Sequence, residues 1–417
     1  NPHDNSLRAP LSPAEAEASG PSFGDTVGTV LVWNHEKPQT PRAELNDQKP
    51  GPRVLNLKSR ASLTMMLAGV GDQYLNMGSG LYRSQTDFRQ AFDLCAEHLQ
   101  SLLTRDIRQD LFREQADGST SNSSSAPDFR AMLRRGSLKS TQPEVEGLEA
   151  TEIVQPLMFS FVYSLATMWQ KVGLKPDALI GYSVGEYVAA CLAGVFSLPD
   201  ALAIVATRAK LIAKMPRGGL MAVPLSEKDC QPLLGESVHV AITSSPKQTI
   251  LAGTPTSLEE VQLSLKARGI VARALPGSHA YHSPMLSPVS EHLVRHLNLV
   301  KLKKASIPVI SNLTGKPLLE SEATRPDYWS QHTCSTVRFY EGLSFLLQSG
   351  DMDLLEVGPG RSLGSFAMQH PLYNKTGIHN MLSTISGKWE NLSDERVFLD
   401  SRGVFHLLGH NSVPGES

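Results

Sequence analysis

Ala178-Leu179-Ile180-Gly181-Tyr182-Ser183-Val184-Gly185-Glu186 is the stretch that decides how this chain is read. A short apolar run, expected as a buried strand over Asp177–Gly181, enters a Gly-x-Ser-x-Gly turn. A helix is expected to start at Ser183 or just after it. In that setting the turn exposes the serine Oγ, and the glycines keep Cβ atoms out of the way. A hydroxyl is a poor nucleophile at neutral pH and needs a base within hydrogen-bond reach, itself oriented by a further group. It also needs donors for the oxyanion of a tetrahedral intermediate. The N–H of Val184, at the positive end of the helix, is the first candidate donor. The pattern alone is weak, because a serine at this place also serves as an ordinary helix N-cap.

Working outward, strands are expected at Leu63–Ala68, Ile307–Ser311 and Asp353–Val357, with helices at about 87–103, 154–172 and 198–214. Residues 217–282 follow a different rhythm, β-α-β-β-α-β, which is the ferredoxin-like order. The fold class expected is therefore α/β, with a large α/β-hydrolase-like subdomain holding a parallel sheet and a small ferredoxin-like subdomain inserted in it. The large part covers 61–216 and 283–379, and the small part 217–282. Residues 1–21, rich in Ala, Ser, Pro and Glu, are expected to be disordered. Residues 22–60 are expected to form a small linker unit with strands at Val27–Trp33 and Val54–Leu57. Gln115–Ser125 reads as a solvated insertion loop, and 380–417 as an irregular C-terminal linker.

Composition narrows the function. The chain has 417 residues, 41% apolar and 19% charged, with a net charge of -2. Nothing in that balance points to nucleic acid or to an anionic membrane. Four scattered cysteines without CxxC spacing suggest neither a disulfide framework nor a zinc site, and the reducing cytoplasm is the expected compartment. No apolar run approaches the roughly 18 residues a membrane helix needs. The chain starts without Met, so a piece of a longer polypeptide is expected.

Several motifs, in order, carry a resemblance over about residues 60–380. Ser183 lies in Gly181-Tyr-Ser-Val-Gly-Glu186, followed by an Ala/Gly-rich helix and Gly194-Val-Phe-Ser197-Leu-Pro-Asp-Ala201. Val154-Gln155-Pro156, Ser311-Asn312-Leu313-Thr314-Gly315 and Glu356-Val357-Gly358-Pro359-Gly360 follow the same family's motifs. Together they resemble the acyltransferase domains of modular type I polyketide synthases, which are similar to malonyl-CoA:acyl carrier protein transacylases. On this resemblance 22–60 corresponds to a ketosynthase-to-acyltransferase linker and 380–417 to a post-acyltransferase linker.

The resemblance implies roles for particular residues. In Ser278-His279-Ala280-Tyr281-His282 the last histidine takes the place of the family's base, with His279 flanking it. The base is oriented in the family by a backbone carbonyl just before Val337-Arg338-Phe339, and His332 is the best match. Arg208 corresponds to the arginine that pairs with the free carboxylate of a malonyl-type group. Its fork geometry suits a carboxylate, and the plain alternative is a solvated helix arginine. Gly69-Val70-Gly71-Asp72 resembles the family's second oxyanion loop, with Val70 in place of glutamine, so a backbone donor survives. Gln155 joins the substrate-binding set. Tyr281 resembles the aromatic residue that goes with malonyl, since a ring there crowds a methyl branch, a discrimination worth about 1–3 kcal/mol.

The implied activity loads a malonyl-type extender unit from coenzyme A onto Ser183. It then transfers the unit to the phosphopantetheine thiol of an acyl carrier protein. Malonyl-CoA or a related extender, a carrier protein and a neighbouring ketosynthase are the implied partners, and no metal or redox cofactor is called for. Methylmalonyl specificity is one alternative. A serine esterase or thioesterase is another, but it should show an acid and a late histidine after the serine.

Overall fold

The computed structural model describes residues 28–32, 53–57, 61–113, 148, 150–388, 390 and 392–410. The expected disorder at 1–21 and the insertion loop at 115–125 lie outside these residues. Residues 1–60 and 61–417 are separate units. In the first, β1 (Gly28–Val32) and β2 (Arg53–Leu57) form an antiparallel ladder with Gly28 opposite Leu57.

In the second, the strands are β3 (Ser62–Leu67), β4 (Ala178–Gly181), β5 (Gly219–Val223), β6 (Val238–Ser245), β7 (Gln248–Gly253), β8 (Arg273–Leu275), β9 (Val309–Ile310), β10 (Met352–Val357) and β11 (His379–Ser383). Five of them make a parallel sheet in the order β11-β10-β3-β4-β9. Its inner strands are almost continuously apolar (Leu63, Met65, Met66 and Leu67 in β3; Leu354, Leu355 and Val357 in β10) and buried. That is what a parallel strand covered on both faces requires. Because the five strands run the same way, the loops after β3, β4, β9 and β10 all emerge at one end of the sheet. The carboxyl end of such a sheet is where α/β folds place ligands. The glycine loop 69–71, the serine turn, Ser311-Asn312 and Gly358–Gly360 are thereby brought to one edge although they are far apart in the chain.

The small sheet is antiparallel in the order β6-β7-β5-β8, with helices Glu227–Cys230 and Pro255–Ala267. This is the ferredoxin-like arrangement, closed around Met221, Val223, Leu251 and Leu265. The first of these helices is one turn followed by a tighter turn at Gln231–Leu233, where Pro232 removes a backbone donor.

One expectation is corrected. Residues 380–417 are not irregular throughout, because the boundary at 380 falls inside β11, which pairs with β10 from His379 opposite Met352. A helix, Asp394–Leu407, follows and is capped by Ser393 Oγ, which accepts from Arg396 N–H at 3.2 Å. Behind it, His410 Nε2 meets Asp353 Oδ2 of β10 at 2.6 Å in the buried interior. β11 is an edge strand of mixed burial with the sequence His-Asn-Met-Leu-Ser, so it carries little of the apolar signal that marks inner strands. All four cysteines are free thiols. No described helix is long and apolar enough to cross a membrane.

Candidate active site

The turn after β4 sets the serine. Ser183 has φ 55°, a left-handed conformation that costs a non-glycine residue about 1–3 kcal/mol and persists only where the surroundings enforce it. The surroundings do so through close backbone approach. A Cβ on Gly185 would run into the Leu67 carbonyl of β3, and one on Gly181 into the backbone of Gly185 and Glu186. The Ser183 N–H donates to Asn312 Oδ1 at 3.0 Å, and Asn312 Nδ2 donates to the Gly181 carbonyl at 2.8 Å. The helix begins at Gly185, so the N–H of Val184 stands at its N-terminal end. No described residue accepts a hydrogen bond from it.

His282 comes from the exit of the small subdomain, also in a left-handed conformation with φ 58°. Its Nε2 lies 2.6 Å from Ser183 Oγ. Its Nδ1 faces two carbonyl oxygens, His332 O at 3.1 Å and Ser335 O at 3.2 Å. Carbonyls only accept, so Nδ1 carries the proton and the Nε2 lone pair faces the hydroxyl. The segment that supplies these carbonyls is bound to the small sheet. Val337 N–H donates to Ala241 O at 2.9 Å, and Thr243 N–H donates to Val337 O at 3.0 Å.

Burial pushes the His282 imidazole well below its ordinary range. The nearby His332 and Arg208 add to the effect, and the two carbonyl contacts oppose it. The neutral ring is the one that can take a proton from Ser183, and protonation below its pKa switches it off. A pKa lowered by folding moves that loss to more acid pH. The expected result is an acylation rate that holds through pH 6.5 and falls only well below it, checked by single-turnover rates across pH.

Arg208 lies on the helix Leu198–Ala213 and is only 1% exposed. Its Nε donates to Thr333 Oγ1 at 3.2 Å, one Nη donates to Gln155 Oε1, and its guanidinium carbon sits 5.7 Å from the Tyr187 ring centroid. Nη2 of Arg208 and Nε2 of Gln155 are both buried without a hydrogen-bond partner among the described residues. No described carboxylate pairs with Arg208. A buried cation and an adjacent amide with idle donors form an incomplete site for an anion.

The other expected residues divide. The Tyr281 hydroxyl bonds Thr151 at the start of the helix Thr151–Lys171, and its ring packs beside Ile212 and Leu286. His279 is turned to Ser278 Oγ at 2.9 Å and sits edge-on to Tyr281, with no contact to Ser183 among those described. Val70 is 37% exposed, one residue beyond Gly69, where a Cβ would run into the Tyr182 carbonyl. The Tyr182 hydroxyl reaches Ser244 Oγ of β6 at 3.1 Å. Sequence reasoning did not assign Asn312, Thr333, Ser335 or Glu186 to the site. The signals were present in Ser311-Asn312-Leu313-Thr314-Gly315 and in the Glu after Gly185.

A family model described as "Acyl transferase domain" matches residues 64–411. The chain belongs to that acyl transferase domain family. Among curated relatives, a component of the phenolphthiocerol/phthiocerol polyketide synthase of Mycobacterium tuberculosis is 28% identical over 364 residues, 87% of this chain and 22% of that protein. The acyl transferase domain thus spans about a fifth of the length of that relative. Among solved structures, the acyl transferase domain of SpnD in complex with 2-(pent-4-yn-1-yl)malonyl matches with a TM-score of 0.74 and 31% identity, covering 87% of this chain and 80% of that one. A type II polyketide synthase acyl-carrier protein in complex with its malonyl-transacylase matches in fold, with a TM-score of 0.65 and 22% identity, covering 84% of this chain and 100% of that one. The domain is an acyltransferase whose homologues are polyketide synthases.

Proposed function

We propose that this acyl transferase domain takes a malonyl-type group from its coenzyme A thioester onto Ser183 and passes it to the phosphopantetheine thiol of an acyl carrier protein, in polyketide assembly. The observation that carries this reading is Arg208, a fully buried guanidinium whose Nη2 is idle beside the idle Nε2 of Gln155. A carboxylate at the far end of the acyl group supplies the missing partner, and neither acetyl nor a simple fatty acyl group can.

With the carboxylate held there, His282 Nε2 takes the Ser183 proton and Oγ attacks the thioester carbonyl. The oxyanion rests on the N–H groups of Val184 and Val70. As the tetrahedral intermediate collapses, the coenzyme A thiolate leaves with the proton from His282, and Ser183 holds the acyl ester. The carrier thiol then gives its proton to His282, attacks that ester, and leaves with the acyl group while Ser183 regains its proton. Tyr281, fixed through Thr151, narrows the space at the acyl Cα and favours malonyl over methylmalonyl. An esterase reading leaves Arg208 without a purpose, and His282 Nδ1 faces carbonyls where a triad acid would stand.

The neighbouring ketosynthase, the linker roles of 22–60 and of the chain after β11, and a cytoplasmic setting belong to the same proposal. The test is competition between malonyl-CoA and methylmalonyl-CoA, read by intact mass. The malonyl adduct should predominate, and an excess of methylmalonyl adduct would overturn the assignment of Tyr281.

A further inference from the structure

Glu186 is the third residue after Ser183, in the first turn of the helix Gly185–Leu192, and has no exposed surface. A carboxylate taken out of water is tolerated only when donors replace its hydration. Glu186 has two. Asn312 N–H donates to Oε2 at 2.7 Å and the Tyr328 hydroxyl bonds Oε1, while His332 Nε2 lies close by, 3.4 Å from Oε2. Asn312 and His332 are also the residues that hold the reacting groups. Asn312 accepts the Ser183 N–H with its Oδ1 and ties down Gly181 with its Nδ2. His332 offers its backbone carbonyl to Nδ1 of His282. One carboxylate is therefore bonded to the support beneath the nucleophile and lies against the ring of the support behind the base. The His332 ring nitrogen is hydrogen-bonded to Asn312 Oδ1 at 3.4 Å, which closes the cluster.

We propose that Glu186 is a positioning residue for the transfer reaction, holding Ser183 and His282 in register through Asn312 and His332. It touches neither the substrate nor the reacting atoms. The proposal rests on the reading of Ser183 and His282 as the catalytic pair. Its consequence is specific. Loosening Glu186 misplaces nucleophile and base relative to one another, while Arg208 and Gln155, which take the substrate carboxylate, stay where they are. A misplacement of about 1 Å arising away from the reacting atoms costs on the order of 100-fold in rate.

The experiment is single-turnover acylation of the full chain by malonyl-CoA, quenched and read by intact mass. It compares wild type, Glu186→Gln, His332→Asn, the double variant and Ser183→Ala. Glu186→Gln is nearly isosteric and removes the charge. It should lower the saturating rate about 100-fold, leave the half-saturating malonyl-CoA concentration within about twofold, and move the acid limb of the pH–rate profile. His332→Asn keeps the backbone carbonyl and loses the ring that packs against Glu186 and bonds Asn312, and should slow the same step. The double variant should be no slower than the worse single, because both act through one cluster.

Three results would overturn the proposal: a wild-type rate in Glu186→Gln; a smaller acylated fraction with unchanged rate and pH profile, the mark of a merely structural residue; or single effects that multiply in the double. If Glu186→Gln does not fold, Tyr328→Phe, which removes one donor and keeps the carboxylate, should slow the step roughly tenfold, and an unchanged rate there overturns the proposal equally. An adduct that survives in Ser183→Ala would instead overturn the catalytic pair itself.

Discussion

Arg208→Ala should lower malonyl transfer roughly 30- to 4,000-fold in kcat/KM while leaving transfer of a neutral acyl group, such as acetyl, unchanged or faster. The magnitude follows from removing one partner of a buried, hydrogen-bonded charge pair, which costs about 2–5 kcal/mol at about 1.4 kcal/mol per tenfold. The selectivity follows from the site. The guanidinium has no described carboxylate partner, its Nη2 is idle, and its remaining contacts are Thr333, Gln155 and the Tyr187 ring. In the alanine variant the neutral amide of Gln155 is left to meet the substrate carboxylate without a cation beside it, whereas a neutral acyl group loses no contact. Arg208→Lys should not restore the activity, because an ammonium on a flexible stem lacks the planar fork that spans two carboxylate oxygens. Parallel rates for malonyl- and acetyl-CoA check this, and an equal loss of both would show that Arg208 only supports the fold.

His282→Ala should cost about 100- to 10,000-fold in the rate of Ser183 acylation, the range expected for a positioned general base. The variant removes the sole ring whose Nε2 is described as reaching the serine, at 2.6 Å. The half-saturating malonyl-CoA concentration should stay close to wild type, because Arg208 and Gln155 are untouched. Burst amplitude and rate with malonyl-CoA separate the two effects. A rate within about tenfold of wild type would mean that another group takes the proton.

What the sequence makes legible here follows from how locally each feature is encoded. The serine turn needs glycines at 181 and 185 because backbone from β3 and from the helix passes where Cβ atoms would sit, and that need is written within five residues. The ferredoxin-like rhythm of 217–282 is likewise a local alternation. Arg208 could be singled out by resemblance, but its burial could not be read from its helix, since a solvated arginine beside Lys210 fits the same pattern. Asn312, Ser335 and Thr333 escape notice because they act through a backbone atom or a single short side chain that only the tertiary fold delivers. Glu186 sits in the motif itself, yet its two donors and the neighbouring His332 ring come from residues more than 120 positions away in the chain. β11 is hidden for a different reason, being an edge strand half turned to solvent. The helix Asp394–Leu407 was within reach of sequence reasoning, because Ser393 followed by Asp394 and Glu395 is an N-terminal capping signal, with Val397, Phe398, Val404 and Phe405 on its buried side.

Whether Ser183 carries the acyl group is read by incubating the chain with malonyl-CoA and locating the adduct by peptide mass. One malonyl group is expected, carried by the peptide containing Ser183, absent in Ser183→Ala and released on addition of a phosphopantetheinylated acyl carrier protein. No adduct on wild type, or an adduct that persists in Ser183→Ala, would contradict it.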